Sequence, residues 1–278
     1  MHRLQNKTRL KTIARQTGTF KAQGNEIMLY GVIGDYWDDL DGQKIVKAIK
    51  ELKGDITVRL NSPGGDVFDG IAIMNALKDH SKDGKGKVTI IVDALAASIA
   101  SVIAMAADEL IMSEGSYLMI HNPWTIAMGD AAEFEKVAGV LRQIGGSIAK
   151  IYAVKTGEEA AILQGMMDAE TWIDAEKAVS MGFADKADGI EAGGVENFDL
   201  TVFDNVPEPL RAAAKLGKPS TVRDLEKVLH NNGYSRAEAK AVASAGFGAL
   251  NQRDAGAEIS SEKLLAALEN RDKAFKTN

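Results

Sequence analysis

The sequence contains no cysteine. Without thiols the chain can form neither disulfides nor thiolate zinc sites, and any nucleophile must be an oxygen or an amine. It also lacks an apolar run long enough to span a bilayer, and its basic start has no apolar segment typical of a signal peptide. We therefore expect a cytoplasmic protein without a membrane partner.

Positive charge is not in excess, since the net charge is -6 and the pI is about 5.4. Binding to a phosphate backbone requires a concentrated basic surface, so no nucleic-acid partner is predicted. The basic residues do cluster before Asn25, in a stretch without Asp or Glu, which we interpret as a basic N-terminal arm over residues 1–25.

Motifs for nucleotide or metal cofactors are missing as well. No GxxxxGK[ST] loop occurs, so any energy-driven unfolding of a substrate would require a separate ATPase. We predict no bound cofactor and no metal.

Residues 26–188 alternate short strand-like runs with longer helical ones, which predicts an α/β domain. The predicted strands are Ile27–Ile33, Ile56–Leu60, Val88–Val92, Glu109–Met112 and Tyr117–Ile120. The predicted helices include Asp41–Leu52, Asp69–Leu77 and Ala131–Ala153, with short ones after Thr156 and Asp174. Residues 189–208 contain Gly, Asp and Pro and are interpreted as a linker, and residues 209–278 as a helical C-terminal module.

The helix Ala131–Ala153 carries a narrow apolar seam, with Asp130 as its predicted N-cap and Glu133 completing a capping box. Its apolar residues recur at steps of three and four. They are Phe134, Val137, Leu141, Ile144, Ile148 and Ile151. A seam this narrow is typical of a helix that packs against a partner helix, and an ordinary helix within the domain is the alternative.

Three groups of residues that can carry chemistry each follow a predicted strand. In Asn61-Ser-Pro-Gly-Gly-Asp66, paired glycines can turn backbone N–H groups towards an oxyanion, although a plain turn has the same pattern. Ser98 lies at a strand-to-helix turn among small residues, where helix capping is the alternative role. His121 ends an apolar strand, the position of a general base, although a buried structural histidine fits as well.

The joint appearance of a hydroxyl, an imidazole and paired backbone donors is more specific than any one of them. The other histidines, His2, His80 and His230, lie in the arm, a predicted polar loop and the tail module. His121 is therefore the candidate base, and strand ends on one sheet edge are where α/β sites usually lie.

These residues resemble the caseinolytic Clp protease (ClpP) family over roughly residues 26–188. The resemblance rests on Asn61-Ser-Pro-Gly-Gly65, on Ser98 with its small neighbours, on Met119-Ile-His121-Asn-Pro123, and on Trp172-Ile-Asp-Ala-Glu-Lys-Ala178 leading to Met181-Gly-Phe-Ala-Asp185. It implies a crotonase-like spiral of ββα units and a serine endopeptidase with a Ser-His-acid triad.

The resemblance assigns Ser98 as nucleophile, His121 as base, and the N–H groups of Gly65 and Ile99 as the oxyanion hole. At the position of the third triad member the sequence has Glu170, and Asp168 is the alternative if the chain shifts by two residues. The resemblance also places the helix 131–153 where the family has the helix that joins stacked rings. It therefore implies a ring-forming homo-oligomer.

The added helical tail resembles the Clp-like proteases of tailed phages and prophages. That resemblance implies a head maturation protease that cuts a capsid or scaffold precursor in the host cytoplasm. One alternative is a serine-lysine peptidase of the signal-peptide-peptidase type, with Lys150 or Lys155 as base. A catalytically degenerate structural assembly protein is another.

Overall fold

A computed structural model describes residues 19–34, 40–191, 198, 200–213, 222–223, 226, 237 and 239–244. Residues up to Lys218 form one compact unit, and residues from Pro219 onward form another. The predicted helix starts at Ser235 and Ser261 lie outside the described residues. Of the helices that the structure describes, none is both long and apolar enough to cross a membrane.

The first unit alternates strands and helices as the sequence predicts. Its elements are β1 (Thr19–Gln23), β2 (Glu26–Tyr30), α1 (Gly42–Glu51), β3 (Ile56–Ser62), α2 (Val67–Lys82), β4 (Val88–Ala97), α3 (Ile99–Ala104), β5 (Glu109–Glu114), β6 (Tyr117–Ile120), α4 (Ala131–Thr156), α5 (Ala160–Asp168), β7 (Thr171–Asp174), α6 (Ala175–Ser180), β8 (Lys186–Glu191), a 3-10 turn (Leu200–Val202) and α7 (Glu208–Ala213).

The strands form one mixed sheet in the order β1-β2-β3-β4-β5-β8, with β6 beside β4 and β7 beside β6. β1 and β7 run antiparallel to their neighbours, and the other pairs are parallel. Repeated parallel crossovers with helices between the strands agree with the crotonase-like α/β fold that the sequence predicts.

Strand β4 is long enough to pair with two successive strands on one side. Its first part, Thr89–Val92, pairs with β5, and its last part, Leu95–Ala97, pairs with Tyr117–Met119 of β6. The parallel register places Ala97 opposite Met119. Because both strands end just beyond this pair, Ser98 and His121 emerge at the same sheet edge.

Two helix starts have the predicted caps, at Asp130 and Asp174, whereas Thr156, predicted to begin a short helix, ends α4, and α5 begins after Glu159 without a side-chain cap. Asp130 and Glu133 form the capping box of α4, and the Asp174 side chain accepts the Lys177 N–H at the start of α6. The Asp66 carboxylate caps α2, which begins earlier than predicted. A carboxylate here satisfies N–H groups that have no partner within the helix and complements the helix dipole.

The core is a continuous apolar cluster between the sheet and α1 to α6. α4 contributes to it only through its C-terminal half, where Ile148, Ala149 and Tyr152 are buried. Its first three turns bury no residue, and Phe134 is 51% exposed. The predicted seam is therefore fully buried only at its C-terminal end, whereas Val137, Leu141 and Ile144 are half-buried among the described residues.

Two boundaries differ from the sequence interpretation. Residues 19–23, assigned to the basic arm, form the edge strand β1, which pairs with β2. In the segment assigned as a linker, the described residues Phe198, Leu200, Phe203 and Val206 are buried. Glycine and proline in this segment signal an irregular backbone, whereas its apolar residues pack on the domain.

Candidate active site

Ser98 lies at the sharp turn between β4 and α3. Its φ of 55° and ψ of -127° are rare for a residue with a side chain, and such strain is typical of functional sites. Its N–H donates to the Met119 carbonyl at 2.9 Å, and its hydroxyl makes no helix-capping bond. The turn therefore leaves the half-buried hydroxyl available to another group.

A buried chain of hydrogen bonds supports this turn from below. The Ser101 hydroxyl donates to the Ser98 carbonyl at 2.5 Å and lies 2.8 Å from the Tyr152 hydroxyl. Since the one Ser101 proton goes to Ser98, the Tyr152 hydroxyl donates to Ser101. Helix α4 thus reaches the backbone of Ser98 through two side chains.

The structure brings His121 into contact with Ser98. The Nε2 atom of the imidazole lies 2.7 Å from the Ser98 Oγ atom. At this distance Ser98 can donate its proton to Nε2, provided that the neutral ring carries its hydrogen on Nδ1. The contact follows from the β4–β6 register, which aligns the two strand ends.

Of the paired glycines, Gly64 packs against Ser98 and Gly65 packs against Ile33. A Cβ atom on Gly64, whose φ is 104°, would lie 2.6 Å from the Ser98 Cβ, and one on Gly65, whose φ is 145°, would lie 2.0 Å from the Ile33 carbonyl oxygen. Only glycine therefore fits at either position. Two backbone hydrogen bonds with Ile33 hold the turn. The Ile33 N–H donates to the Gly64 carbonyl, and the Asp66 N–H donates to the Ile33 carbonyl.

The predicted oxyanion donors are the backbone N–H groups of Gly65 and Ile99. Ile99 is the first residue of α3, where backbone N–H groups have no partner within the helix. No described residue accepts a hydrogen bond from the Gly65 N–H. Ile99 directly follows Ser98, and Gly65 follows Gly64, which packs against the Ser98 side chain. Backbone donors at these positions could stabilise a negative charge that develops near the turn.

The two predicted acids are engaged elsewhere. The Glu170 carboxylate accepts hydrogen bonds from the backbone N–H groups of Asp204 at 3.0 Å and Asn205 at 2.7 Å, and from Trp172 Nε1 at 3.2 Å. Asp168 accepts from Asn122 and Gln164, whose amides lower the pKa of this exposed carboxyl. The direct bond from Glu170 or Asp168 to His121 that the resemblance implies is therefore not part of this arrangement.

The sequence interpretation missed Phe203 as a neighbour of the site. Its ring lies 5.6 Å from the His121 ring and 5.6 Å from that of Trp172, measured between centroids, in edge-to-face geometry. Only its apolar neighbours Val202 and Val206, at the end of a segment interpreted as a linker, could have indicated a packed position.

A pocket of about 260 Å³ adjoins His121. Its lining residues are His121, Asn122, Pro123, Trp124, Met167, Asp168, Glu170, Val202 and Asp204. Its position beside the Ser98–His121 pair would suit part of a substrate chain.

The described residues that could serve as alternative bases have other surroundings. His80 belongs to α2 and not to a loop, and its buried Nε2 contacts the Gly54 carbonyl at 2.8 Å. His2 and His230 lie outside the described residues. Lys150 is exposed on α4, and Lys155 donates to Asp185 at 2.8 Å.

Within the described residues, no group of three or more His, Asp or Glu side chains could hold a metal ion.

The sequence of this chain is similar to those of known proteins. A family model described as Clp protease matches residues 22–188. The ATP-dependent Clp protease proteolytic subunit 1 of Protochlamydia amoebophila (strain UWE25) is 31% identical over 131 residues, which are 46% of this chain and 62% of that protein. The ATP-dependent Clp protease proteolytic subunit of Chlorella vulgaris is 30% identical over 156 residues, or 54% of this chain and 75% of that protein.

Proposed function

The chain belongs to the Clp protease family, and from that membership and the site geometry we propose that it is a serine endopeptidase. The observation that supports this most directly is the 2.7 Å contact between Ser98 Oγ and His121 Nε2. In this proposal Ser98 is the nucleophile, His121 is the general base and acid, and the N–H groups of Gly65 and Ile99 bind the oxyanion.

The reaction proceeds by acyl transfer. Ser98 Oγ attacks the carbonyl carbon of the scissile bond while its proton passes to His121 Nε2. The resulting oxyanion accepts hydrogen bonds from Gly65 and Ile99, and the C–N bond then breaks as His121 gives the proton to the leaving amine. Water next attacks the ester, its proton goes to His121, and Ser98 regains a proton as the acid product leaves.

The serine-lysine alternative has less support. Ser98 already contacts an imidazole, and the Lys155 ammonium is engaged by Asp185. The alternative of a degenerate assembly protein would leave the strained turn at Ser98 and its glycine cradle without a chemical purpose.

The experiment that tests this function is labelling with a fluorophosphonate probe, which reacts with activated serine hydroxyls. We expect the parent chain and Ser180→Ala, a control for an exposed serine of α6, to be labelled. Ser98→Ala and His121→Ala should remain folded and lose labelling by at least about 1,000-fold. Equal labelling of Ser98→Ala and the parent would contradict the site, and labelling retained in His121→Ala would favour a lysine base.

A homo-oligomer is the second part of the proposal, because the N-terminal half of α4 has no fully buried residue in the part of the chain that the structure describes. Phe134 is 51% exposed and Val140 is 53% exposed, and Ile126 and Met128 on the preceding loop are 62% and 93% exposed. These exposed apolar side chains, together with the ring that the family resemblance implies, favour assembly through residues 131–153. Phe134→Asp should reduce the mass measured by light scattering, whereas Glu135→Gln on the same helix should not.

The finer proposal for the substrate is a phage capsid or scaffold precursor. It is supported by the resemblance of the tail to the phage-type proteases and by the residues that follow the matched region 22–188. Mass spectrometry of a candidate precursor after co-expression with the parent or with Ser98→Ala tests it. Cleavage by the parent alone is expected, and an uncleaved precursor beside a chain that still reacts with the probe would overturn the substrate and leave the peptidase.

A further inference from the structure

The described residues between 198 and 210 lie beyond the family-matched region, and several of them pack against the strands that carry the site. The described residues of this segment that are buried in the contact are Phe198, Leu200, Phe203, Val206 and Leu210. They cover Ala94, Leu95, Ala97 and Met119, which lie on β4 and β6 directly before Ser98 and His121. The segment thus forms an apolar cluster, which we call the strand-end cluster, beneath both proposed catalytic residues.

Phe203 is the member of the strand-end cluster that reaches His121. The two ring planes meet at 76° with centroids 5.6 Å apart, and the ring of Trp172 meets that of Phe203 at 80° and the same distance. Such edge-to-face pairs stabilise a defined mutual orientation of the rings. Since Trp172 pairs with Met119 in the sheet, Phe203 contacts both a residue of a rigid strand and the imidazole.

Glu170 fixes the backbone directly after Phe203. Its two carboxylate oxygens accept the N–H groups of Asp204 and Asn205, and the Asn205 side chain donates to the Ala169 carbonyl at 2.9 Å. Glu170 adopts a φ of 48°, which turns its side chain into this position from the end of α5. Charge-assisted hydrogen bonds to backbone N–H groups are among the stronger ones.

We propose that Phe203 is a positioning residue for the His121 imidazole, and that Glu170 acts on His121 through the Asp204–Asn205 turn rather than as its hydrogen-bonded acid. This inference rests on the proposed peptidase function. The consequence is that the reactive site of this chain extends outside the family-matched region, into residues 200–205. The same segment contributes Val202 and Asp204 to the wall of the pocket beside His121.

The test compares Phe203 variants in the full chain by hydrolysis of a reporter peptide and by the rate of fluorophosphonate labelling. Phe203→Leu keeps most of the buried volume and loses the ring, and we expect kcat to fall by about 10- to 100-fold with KM changed by less than about threefold. Phe203→Tyr keeps the ring and should restore kcat to within about threefold of the parent.

Val206→Ala is the matched control, since Val206 is buried in the same strand-end cluster. It should lower the unfolding temperature at least as much as Phe203→Leu and leave kcat within about threefold. If Val206→Ala and Phe203→Leu reduce kcat in proportion to their loss of stability, the ring has only a structural role and the proposal is overturned.

A double-mutant cycle tests the part assigned to Glu170. If Glu170 acts through the turn, Glu170→Ala should lower kcat in the parent but by less than about twofold in the Phe203→Leu background. If its effect is the same in both backgrounds, Glu170 acts independently of Phe203, and this half of the proposal fails.

The outcomes separate this inference from the proposed function. A parent chain without fluorophosphonate labelling would overturn the peptidase function itself. A parent labelled at Ser98, with Phe203→Leu labelled equally fast and equal in kcat, would leave the peptidase and overturn only the role of Phe203.

Discussion

At the scale of single residues, the site depends on a strained serine that buried polar groups hold in place. The Ser98 carbonyl is fixed by Ser101, and Ser101 by Tyr152, with both supporting residues essentially inaccessible to solvent. Buried polar groups contribute little net stability when paired, but they cost much when one partner is removed. The support of Ser98 therefore depends on having both partners.

We predict that Ser101→Ala lowers the free energy of unfolding by about 1–3 kcal/mol, because it leaves the buried Tyr152 hydroxyl without an acceptor. Adding Tyr152→Phe should cost less in this background than in the parent, since the unpaired hydroxyl is then gone. Urea denaturation of the parent, the two single variants and the double variant measures this coupling. Strictly additive losses would contradict it.

A second group of polar side chains lies on strands β2, β3 and β4, and Asp93 of this group precedes Ser98 on β4. Asp93 accepts hydrogen bonds from the Tyr30 hydroxyl at 2.5 Å and from Arg59 Nε at 3.0 Å. Partial burial, followed by the neighbouring Asp93 carboxylate, raises the pKa of Tyr30 to about 12. The folded protein therefore prefers the protonated phenol.

This pKa predicts a loss of stability in alkali. An unfolded tyrosine has a pKa of about 10, so the contribution of protonated Tyr30 is complete below about pH 10 and is lost as the pH rises towards the folded value. Tyr30→Phe should show a smaller decrease in stability between about pH 10 and about pH 12. Urea denaturation across this range, with tyrosinate absorbance to follow the titration, measures it; identical pH profiles would contradict it.

At the scale of elements, one carboxylate connects three of them. Asp185, just before β8, accepts the Leu110 N–H of β5 at 2.7 Å and the Lys155 ammonium of α4 at 2.8 Å. Partial burial by itself would raise the pKa of Asp185, but the Leu110 N–H and the Lys155 charge outweigh it and lower the pKa. The ionised form is therefore preferred in the folded protein.

We predict that Asp185→Asn destabilises the protein at neutral pH by about 1 kcal/mol, a small value because the side chain is partly exposed to screening solvent. Since the folded pKa lies below that of the unfolded chain, the contribution is complete above about pH 4 and disappears as the pH falls further. The exposed Asp188→Asn is the control. Denaturation curves at neutral and acidic pH should converge for Asp185→Asn and the parent, and a constant difference would argue against this linkage.

Element positions show where sequence patterns work and where they do not. Strand Tyr117–Ile120 and the capping box at Asp130 agree with the prediction, because alternation and capping are local properties. The sequence patterns did not predict β7, although Trp172 begins one of the motifs that carry the resemblance to the Clp protease family. β7 has only four residues, Thr171–Asp174, and pairing with β6 is what makes them a strand.

At the scale of the whole molecule, the residues after β8 divide into a part that packs at the site and a separate unit. Residues up to Lys218 form the first unit, which includes the strand-end cluster. Removing the residues after Lys218 and removing those after Glu191 should therefore have different consequences.

We predict that a chain ending at Lys218 reacts with fluorophosphonate at a rate within about threefold of the parent. A chain ending at Glu191 should lose at least tenfold in rate and unfold at lower temperature, because each large apolar side chain of the strand-end cluster contributes about 1.5–3 kcal/mol when buried. Both labelling and thermal unfolding should be measured. Equal behaviour of the two truncated chains would show that residues 192–218 do not support the site.

The sequence by itself determined the α/β architecture, the cap at Asp130 and the identity of the residues that carry chemistry, because periodicity, capping and turn residues are local. It could nominate Ser98 and His121 from their strand ends, but their 2.7 Å contact follows from the pairing of β4 with β6. Only the tertiary structure decided the surroundings of Glu170 and Phe203. Their neighbours, Asn205 and His121, are 35 and 82 residues away along the chain (205 − 170 and 203 − 121), and no local pattern encodes a contact between such distant segments.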